Sequence, residues 1–361
     1  MRKKQVFGLL ISLAVFGVFF AGIQRLVVPK YMGMVVEGNF TQEYYREESS
    51  HDVLFLGNCE VYENISPITL WEEYGITSYI RGNAQQLIAQ SYYLLEDTLR
   101  YETPKVVVFS ILSMKQAAQT NESYNRMTLD GMRWSSSKWK AIMATKMEGE
   151  HGIEYVFPLL RFHSRWKDLE EEDFRYYWSR EDVAHSGYYL RADVRPAGEF
   201  PQERRIADYS FAPEAWEYLD KIRLLCEEKG IQFVLMKAPS LYPAWHEQWD
   251  AQIVDYASRY GLCYVNGIEK MQEIGIDFSK DTYDQGLHMN VYGAEKMAHY
   301  LGGILAEMPG VEDRRADEEL ARIWEEKSER YRQEKKKQEE EFARLGYLTK
   351  FYQEQAEEKQ K

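Results

Sequence analysis

Short apolar runs, closed by glycine, proline or polar clusters, alternate along this chain with longer amphipathic stretches. The run Val53-Leu54-Phe55-Leu56, closed by Gly57, predicts a buried strand. Ser66-Pro67 opens a helix through Trp71 toward Gly75, with Ser66 as N-cap and Pro67 at the first helical position. Ser78-Tyr79-Ile80-Arg81 predicts a second strand, closed by Gly82-Asn83, and a helix over about 85–101 follows. Pro104 ends that helix, and residues 105–112 (KVVVFSIL) give the strongest strand signal in the chain. The rhythm resumes with a helix over 213–229 stopped by Gly230, a strand over 232–237, a helix over 243–260, a strand over 262–265 and a closing helix over 290–305. This alternation predicts an α/β fold, a three-layer parallel sheet with helices on both faces.

Three stretches fall outside that rhythm. Arg2, Lys3 and Lys4 precede an uncharged apolar run from Val6 to Gly22, long enough with its flanks to span a hydrocarbon core. The cationic start favours a cytoplasmic N-terminus, and no small-x-small cleavage pattern follows closely, so the run reads as an uncleaved single-pass anchor with the rest of the chain outside the cell. Residues 115–205 are irregular and rich in aromatics and charge, and read as an inserted set of helices and loops. Beyond Pro309 the chain turns to Glu, Lys, Arg and Gln with sparse apolar positions, which predicts a charged helical tail, either solvated or directed at a partner. The expected organisation is an anchor over 1–28, a connector over 29–50, a main domain over 51–310 carrying the insertion, and a tail over 311–361.

Composition narrows the functions. The net charge of −13 argues against broad nucleic-acid binding, which rests on neutralising phosphate, and gives no support for docking on anionic lipid. Three cysteines, Cys59, Cys226 and Cys263, are an odd number and do not make a disulfide framework. Aromatics at 14% suit buried rings or stacking against sugars. No spacing resembles a zinc site, and no phosphate-cradling or dinucleotide glycine loop is present, so neither a metal nor a cofactor is expected.

The chemistry concentrates at two remote points. Gly57-Asn58-Cys59 sets a thiol where the first strand turns into a helix, near free backbone N–H donors. Asp284-Gln285-Gly286-Leu287-His288 supplies an acid and a base in a loop just before the last helix. An apolar strand, Gly-x-nucleophile, and a late acid–base pair resemble the SGNH/GDSL hydrolase superfamily over roughly 53–112 and 213–305. The likeness is nearest to membrane-anchored proteins of envelope-polymer O-acylation, of the teichoic-acid alanylation and alginate O-acetylation type, with cysteine in place of the nucleophilic serine.

The resemblance implies a flavodoxin-like SGNH fold and a set of roles. Cys59 is the nucleophile, His288 the base, and Asp284 the acid, although the family's usual acid position, three residues before the histidine, holds Gln285 here; Asp281 is a second candidate. Gly82 and Asn83 stand where the family stabilises the oxyanion. Glu60, beside the thiol, would either disfavour a thiolate or orient a substrate hydroxyl. Gln85 could meet sugar hydroxyls, as could Gln86. Lys237 could meet an anionic group of the polymer, and so could Arg161, His163 and Arg165 in the insertion. Ser110 and Ser113 end the third strand on the same rim.

Two functions are expected from this. One is an extracytoplasmic acyltransferase or esterase acting on O-acyl groups of cell-envelope glycans. The other is a catalytically degenerate domain that binds a glycan or serves as scaffold for a membrane-bound O-acyltransferase.

Overall fold

A computed structural model describes residues 3–29, 40–116, 118–119, 121–178, 182–198 and 205–351. In chain order the elements are α1 (Lys3–Val27), α2 (Phe40–Glu43), β1 (Val53–Gly57), α3 (Cys59–Asn64), α4 (Pro67–Tyr74), β2 (Ser78–Gly82), α5 (Ile88–Thr98) and β3 (Val106–Ser110). The insertion carries α6 (Glu122–Gly131), α7 (Ser136–Thr145), α8 (Gly152–Val156), α9 (Leu159–Phe162) and α10 (Glu171–Trp178). Then come α11 (Pro213–Lys229), β4 (Gln232–Lys237), α12 (Glu247–Tyr260), β5 (Cys263–Asn266), α13 (Met271–Ile274), α14 (Val291–Leu305) and α15 (Glu318–Leu345).

The five strands form one all-parallel sheet in the order β2-β1-β3-β4-β5. β1 and β3 are buried along their whole length, which is why both read as unbroken apolar runs rather than as alternation. Their side chains still divide by the period of two. Val53, Phe55, Val106 and Val108 face a core built with α4, α14 and α15. Leu54, Leu56, Val107 and Phe109 face a second core built with α5, α11 and α12. From β1 the chain steps outward to β2, then crosses back over β1 to β3. The crevice outside the carboxyl ends of β1 and β3 is therefore the topological switch point, where such sheets bind their ligands.

Element boundaries moved inward. The helix expected over 85–101 starts at Ile88, because Gln85 takes a left-handed backbone (φ 51°) in the turn before it. The helix expected from 243 starts at Glu247. The strand expected to 112 ends at Ser110 and tightens into a 3-10 turn over Ile111–Lys115.

Three parts of the expected organisation change. The charged tail is part of the main domain: Trp324 is fully buried and stacks on Trp71 with ring centroids 5.4 Å apart. Leu320, Ile323, Trp324, Ser328, Tyr331 and Gln338 form one buried stripe along α15. The sequence hides this stripe because two of its members are polar. Gln338 is satisfied by the chain it covers, accepting from the Ala192 N–H (3.0 Å) and donating to the Leu190 carbonyl (3.1 Å).

The far end of the insertion is likewise core, since Tyr188, Tyr189, Leu190 and Ala192 are buried under α15. So is the end of the connector. Phe40 is buried with its ring 5.0 Å from Tyr62 and 5.5 Å from Tyr189. The described residues of the insertion up to Trp178 carry α6 to α10. α1 is long and apolar enough to cross a membrane.

Candidate active site

Cys59 owes its place to close packing beneath it. A side chain at Gly57 would put its Cβ 2.8 Å from the Cβ of Ser110, and one at Gly82 would lie 2.5 Å from Val61 and 3.1 Å from the carbonyl oxygens of Gly57 and Asn58. Only glycines let β2 and β3 close on this turn. Asn58 then caps α3, its side chain accepting from the Glu60 N–H at 3.1 Å, and Cys59 becomes the first residue of the helix, half-buried at the switch point. A first helical residue has no intrahelical partner for its own N–H.

Glu60 and Lys237 do not do what the sequence suggested. Both are buried, and they form an ion pair; Ser110 donates to the same carboxylate. Lys237 also donates to the Ala238 carbonyl (2.8 Å) and to Ser240 Oγ (3.0 Å). The negative charge beside Cys59 is thus neutralised within the protein, and the Lys237 ammonium is spent on it. The pair ties the start of α3 to the ends of β3 and β4, and neither group is free to bind an anionic polymer or a sugar hydroxyl.

The base loop folds by a left-handed kink. Gln285 (φ 69°) and Gly286 (φ 100°) both have positive φ, and the kink lets Asp284, four residues before His288, reach its ring. Asp284 accepts the His288 backbone N–H through Oδ1 (2.8 Å) and faces ring Nδ1 through Oδ2 (2.7 Å). Thr282 Oγ1 donates to the His288 carbonyl at 2.7 Å and lies 3.2 Å from Asp284 Oδ1. The second candidate acid, Asp281, is bound instead to Lys296 and to the Asp277 N–H, away from the ring.

A second carboxylate, Glu63, stands at 3.1 Å from the same Nδ1 and accepts from the Tyr283 hydroxyl. Glu63 lies one helical turn after Cys59 on α3, so one short helix carries both the thiol and a carboxylate of the histidine's setting. The Tyr283 ring stacks on His288 with centroids 6.1 Å apart and an interplanar angle of 14°.

His288 is buried, and its Nε2 has no hydrogen-bond partner among the described residues. Burial disfavours the imidazolium. The negative charges of Glu63, of the Cys59 thiolate form and of Asp284 outweigh it and hold the His288 pKa well above its ordinary value. Cys59 is thus within electrostatic reach of the ring.

The remaining candidates are engaged elsewhere. The Asn83 amide, expected to face an oxyanion, donates to Thr41 Oγ1 (2.7 Å) and Gln86 Oε1 (3.2 Å) in the interior. Gln85 accepts from Gln116 (3.3 Å) and Gln119 (3.0 Å), joining the loops after β2 and β3. Gln86 is fully buried on the Arg81 carbonyl and Ser91. Ser113 is buried.

In the insertion, Arg161 makes a bidentate pair with Glu122 (2.5 and 2.7 Å), and Arg165 Nη2 reaches both oxygens of Asp173 (2.8 and 2.9 Å). His163 is exposed. This group braces the insertion instead of offering free cations to a polyanion. Cys226 is buried, with its thiol pushed up to about 12 by that burial, and all three cysteines are free.

No protein-family model matches the chain, and no curated protein matches it either.

Chemically, the arrangement is a thiol at a strand end and an imidazole whose Nδ1 side is held by two carboxylates while Nε2 is unspent. The ligand atoms of Glu63, Asp284 and His288 all lie within 4.8 Å of one another, close enough to hold a divalent cation. Tyr283 donates to Glu63, and the His288 N–H donates to Asp284.

Proposed function

We propose that the protein is a membrane-anchored, thiol-dependent acyltransferase or esterase of the SGNH type, with its domain outside the cell, acting on O-acyl groups of envelope glycans. One observation carries the reading: Cys59 at the switch point is matched by a buried His288 with two carboxylates on Nδ1 and an unpartnered Nε2. The all-parallel sheet in the order β2-β1-β3-β4-β5 and the length and apolarity of α1 support the reading.

The raised His288 pKa supports a thiol specifically. A serine hydroxyl needs a neutral imidazole to take its proton, whereas a thiolate works beside an imidazolium. In the first step the Cys59 thiolate attacks the donor ester carbonyl. Collapse of the tetrahedral intermediate forms a thioester and breaks the C–O bond, and His288 gives its Nε2 proton to the leaving alkoxide. In the second, a glycan hydroxyl or water attacks the thioester, and His288, now neutral, takes the incoming proton as the thiolate leaves. Asp284 and Glu63 hold the ring and stabilise its charge throughout.

The test is turnover of an O-acetylated glycan fragment by the full chain in detergent. Cys59→Ala is expected to abolish deacetylation and transfer alike; unchanged turnover removes Cys59 from the chemistry. The occupied Asn83 amide favours a second reading, a recognition domain working beside a membrane-bound O-acyltransferase. That reading predicts glycan binding that survives Cys59→Ala together with no turnover in the wild type.

A further inference from the structure

On α1, large apolar side chains are exposed from Val6 to Phe19 and no further. That bare length is about 21 Å at ~1.5 Å per residue. A hydrocarbon core is about 30 Å thick, so a bilayer crossed by α1 reaches past Phe19 by roughly 9 Å, to about the level of Arg25. At that level α1 has company. Phe20 lies 6.3 Å from the Phe157 ring, Gln24 accepts the Leu159 N–H at 2.7 Å, and the Arg25 guanidinium sits 4.8 Å from the Tyr177 ring. Arg165, fixed by Asp173, donates to the carbonyls of Leu26 (3.4 Å), in the last turn of α1, and of Val28 (3.5 Å), just past its end. An open, mostly apolar groove of about 320 Å³ runs between α1 and α10, with Phe174 and Tyr177 on its far wall.

The apolar surface continues from α1 onto these helices. Ile153, Val156, Phe157, Leu160, Trp166 and Phe174 are each 40–65% exposed. Large exposed apolar patches are uncommon on soluble surfaces, and tryptophan is a residue of the membrane boundary. The neighbouring cations Arg161 and Arg165 are already paired with Glu122 and Asp173, and Lys167 sits 5.7 Å from the Trp166 ring.

We propose that α8 to α10 form a membrane seat: their exposed apolar side chains enter the bilayer boundary where α1 leaves it and fix the domain's height and orientation. The seat rests on the reading of α1 as an anchor. It makes the insertion a positioning device for a site that works at the membrane surface, in place of the glycan-binding lobe its Arg, His and Trp residues suggested.

The test uses the full chain in nanodiscs of zwitterionic phosphatidylcholine, with acyl chains either plain or brominated close to the headgroup. Co-elution with the discs reports the anchor; loss of tryptophan fluorescence on bromination reports the seat. Wild type is expected to lose a component that Trp166→Phe lacks, and Leu160→Ser/Phe174→Ser is expected to shrink it. Both variants change exposed side chains, and circular dichroism checks that they fold. Co-elution with equal quenching in wild type and Trp166→Phe overturns the seat and leaves the anchor standing. Failure to co-elute overturns both.

Discussion

Glu63→Gln is the sharpest single perturbation of the site, because it removes one charge and almost no volume. The Glu63 carboxylate lies 3.1 Å from His288 Nδ1 in a buried setting. At that separation and an effective dielectric near 20, a carboxylate–imidazolium pair is worth about 5 kcal/mol. Asp284 remains at 2.7 Å and keeps the ring oriented, so only part of that energy is lost. Even a little over a quarter of it, about 1.4 kcal/mol, is a tenfold change in a rate or equilibrium.

The assay is the rate of iodoacetamide alkylation at neutral pH, followed thiol by thiol by mass spectrometry. Cys263 is exposed and serves as an internal control, and Cys226 is buried and silent. Alkylation of Cys59 is expected to slow about tenfold or more, because the positive charge that Glu63 favours on His288 is weakened. Cys263 should not change.

Stability carries the same signature. His288 has a raised pKa in the folded state, so its contribution is complete below its ordinary value near ~6.5 and is lost as the pH rises through the raised value. The wild type should therefore lose stability with rising pH above neutrality more steeply than Glu63→Gln. Unchanged Cys59 alkylation, with parallel stability curves, would refute the electrostatic argument.

Other outcomes follow from the same geometry. Cys59→Ser should lower turnover by about 100-fold or more, since a hydroxyl needs a neutral base and the His288 pKa is raised by the carboxylates around it; a serine variant as active as wild type at neutral pH contradicts this. Trp324→Ala should destabilise the folded domain by about 3–5 kcal/mol, read as a lower urea midpoint, because the indole is fully buried against Trp71; a solvated tail would show no change. EDTA should leave ester turnover intact and added zinc should inhibit it by taking His288 Nδ1 with Glu63 and Asp284; loss of activity in EDTA, restored by a metal, would reassign the cluster.

The sheet, the place of Cys59 at a strand end and the contact of Asp284 with His288 were legible because each sits on a local signal: an apolar run, a glycine turn, a polar loop before a helix. Glu63 was missed although a signal existed, since a carboxylate four residues after a nucleophile at a helix start shares its face. Glu60 and Lys237 were misread because each was weighed alone. Their meaning is their pairing, made across a long stretch of sequence. Asn83 looked like an oxyanion donor by position, and Thr41, a residue of the supposed connector, claims its amide. The C-terminal helix looked solvated because its buried stripe runs through Ser328 and Gln338, whose acceptability inside depends on backbone groups of another segment.

Mass spectrometry of the intact full chain, quenched in acid after brief exposure to an activated acetyl ester, tests the union of thiol and imidazole in one reacting site. A single acetyl group on Cys59, labile to hydroxylamine and lost when His288→Gln is treated alike, is the expected result. Cys59 left unmodified while exposed Cys263 is acetylated, or equal labelling of Cys59 with and without His288, would contradict it.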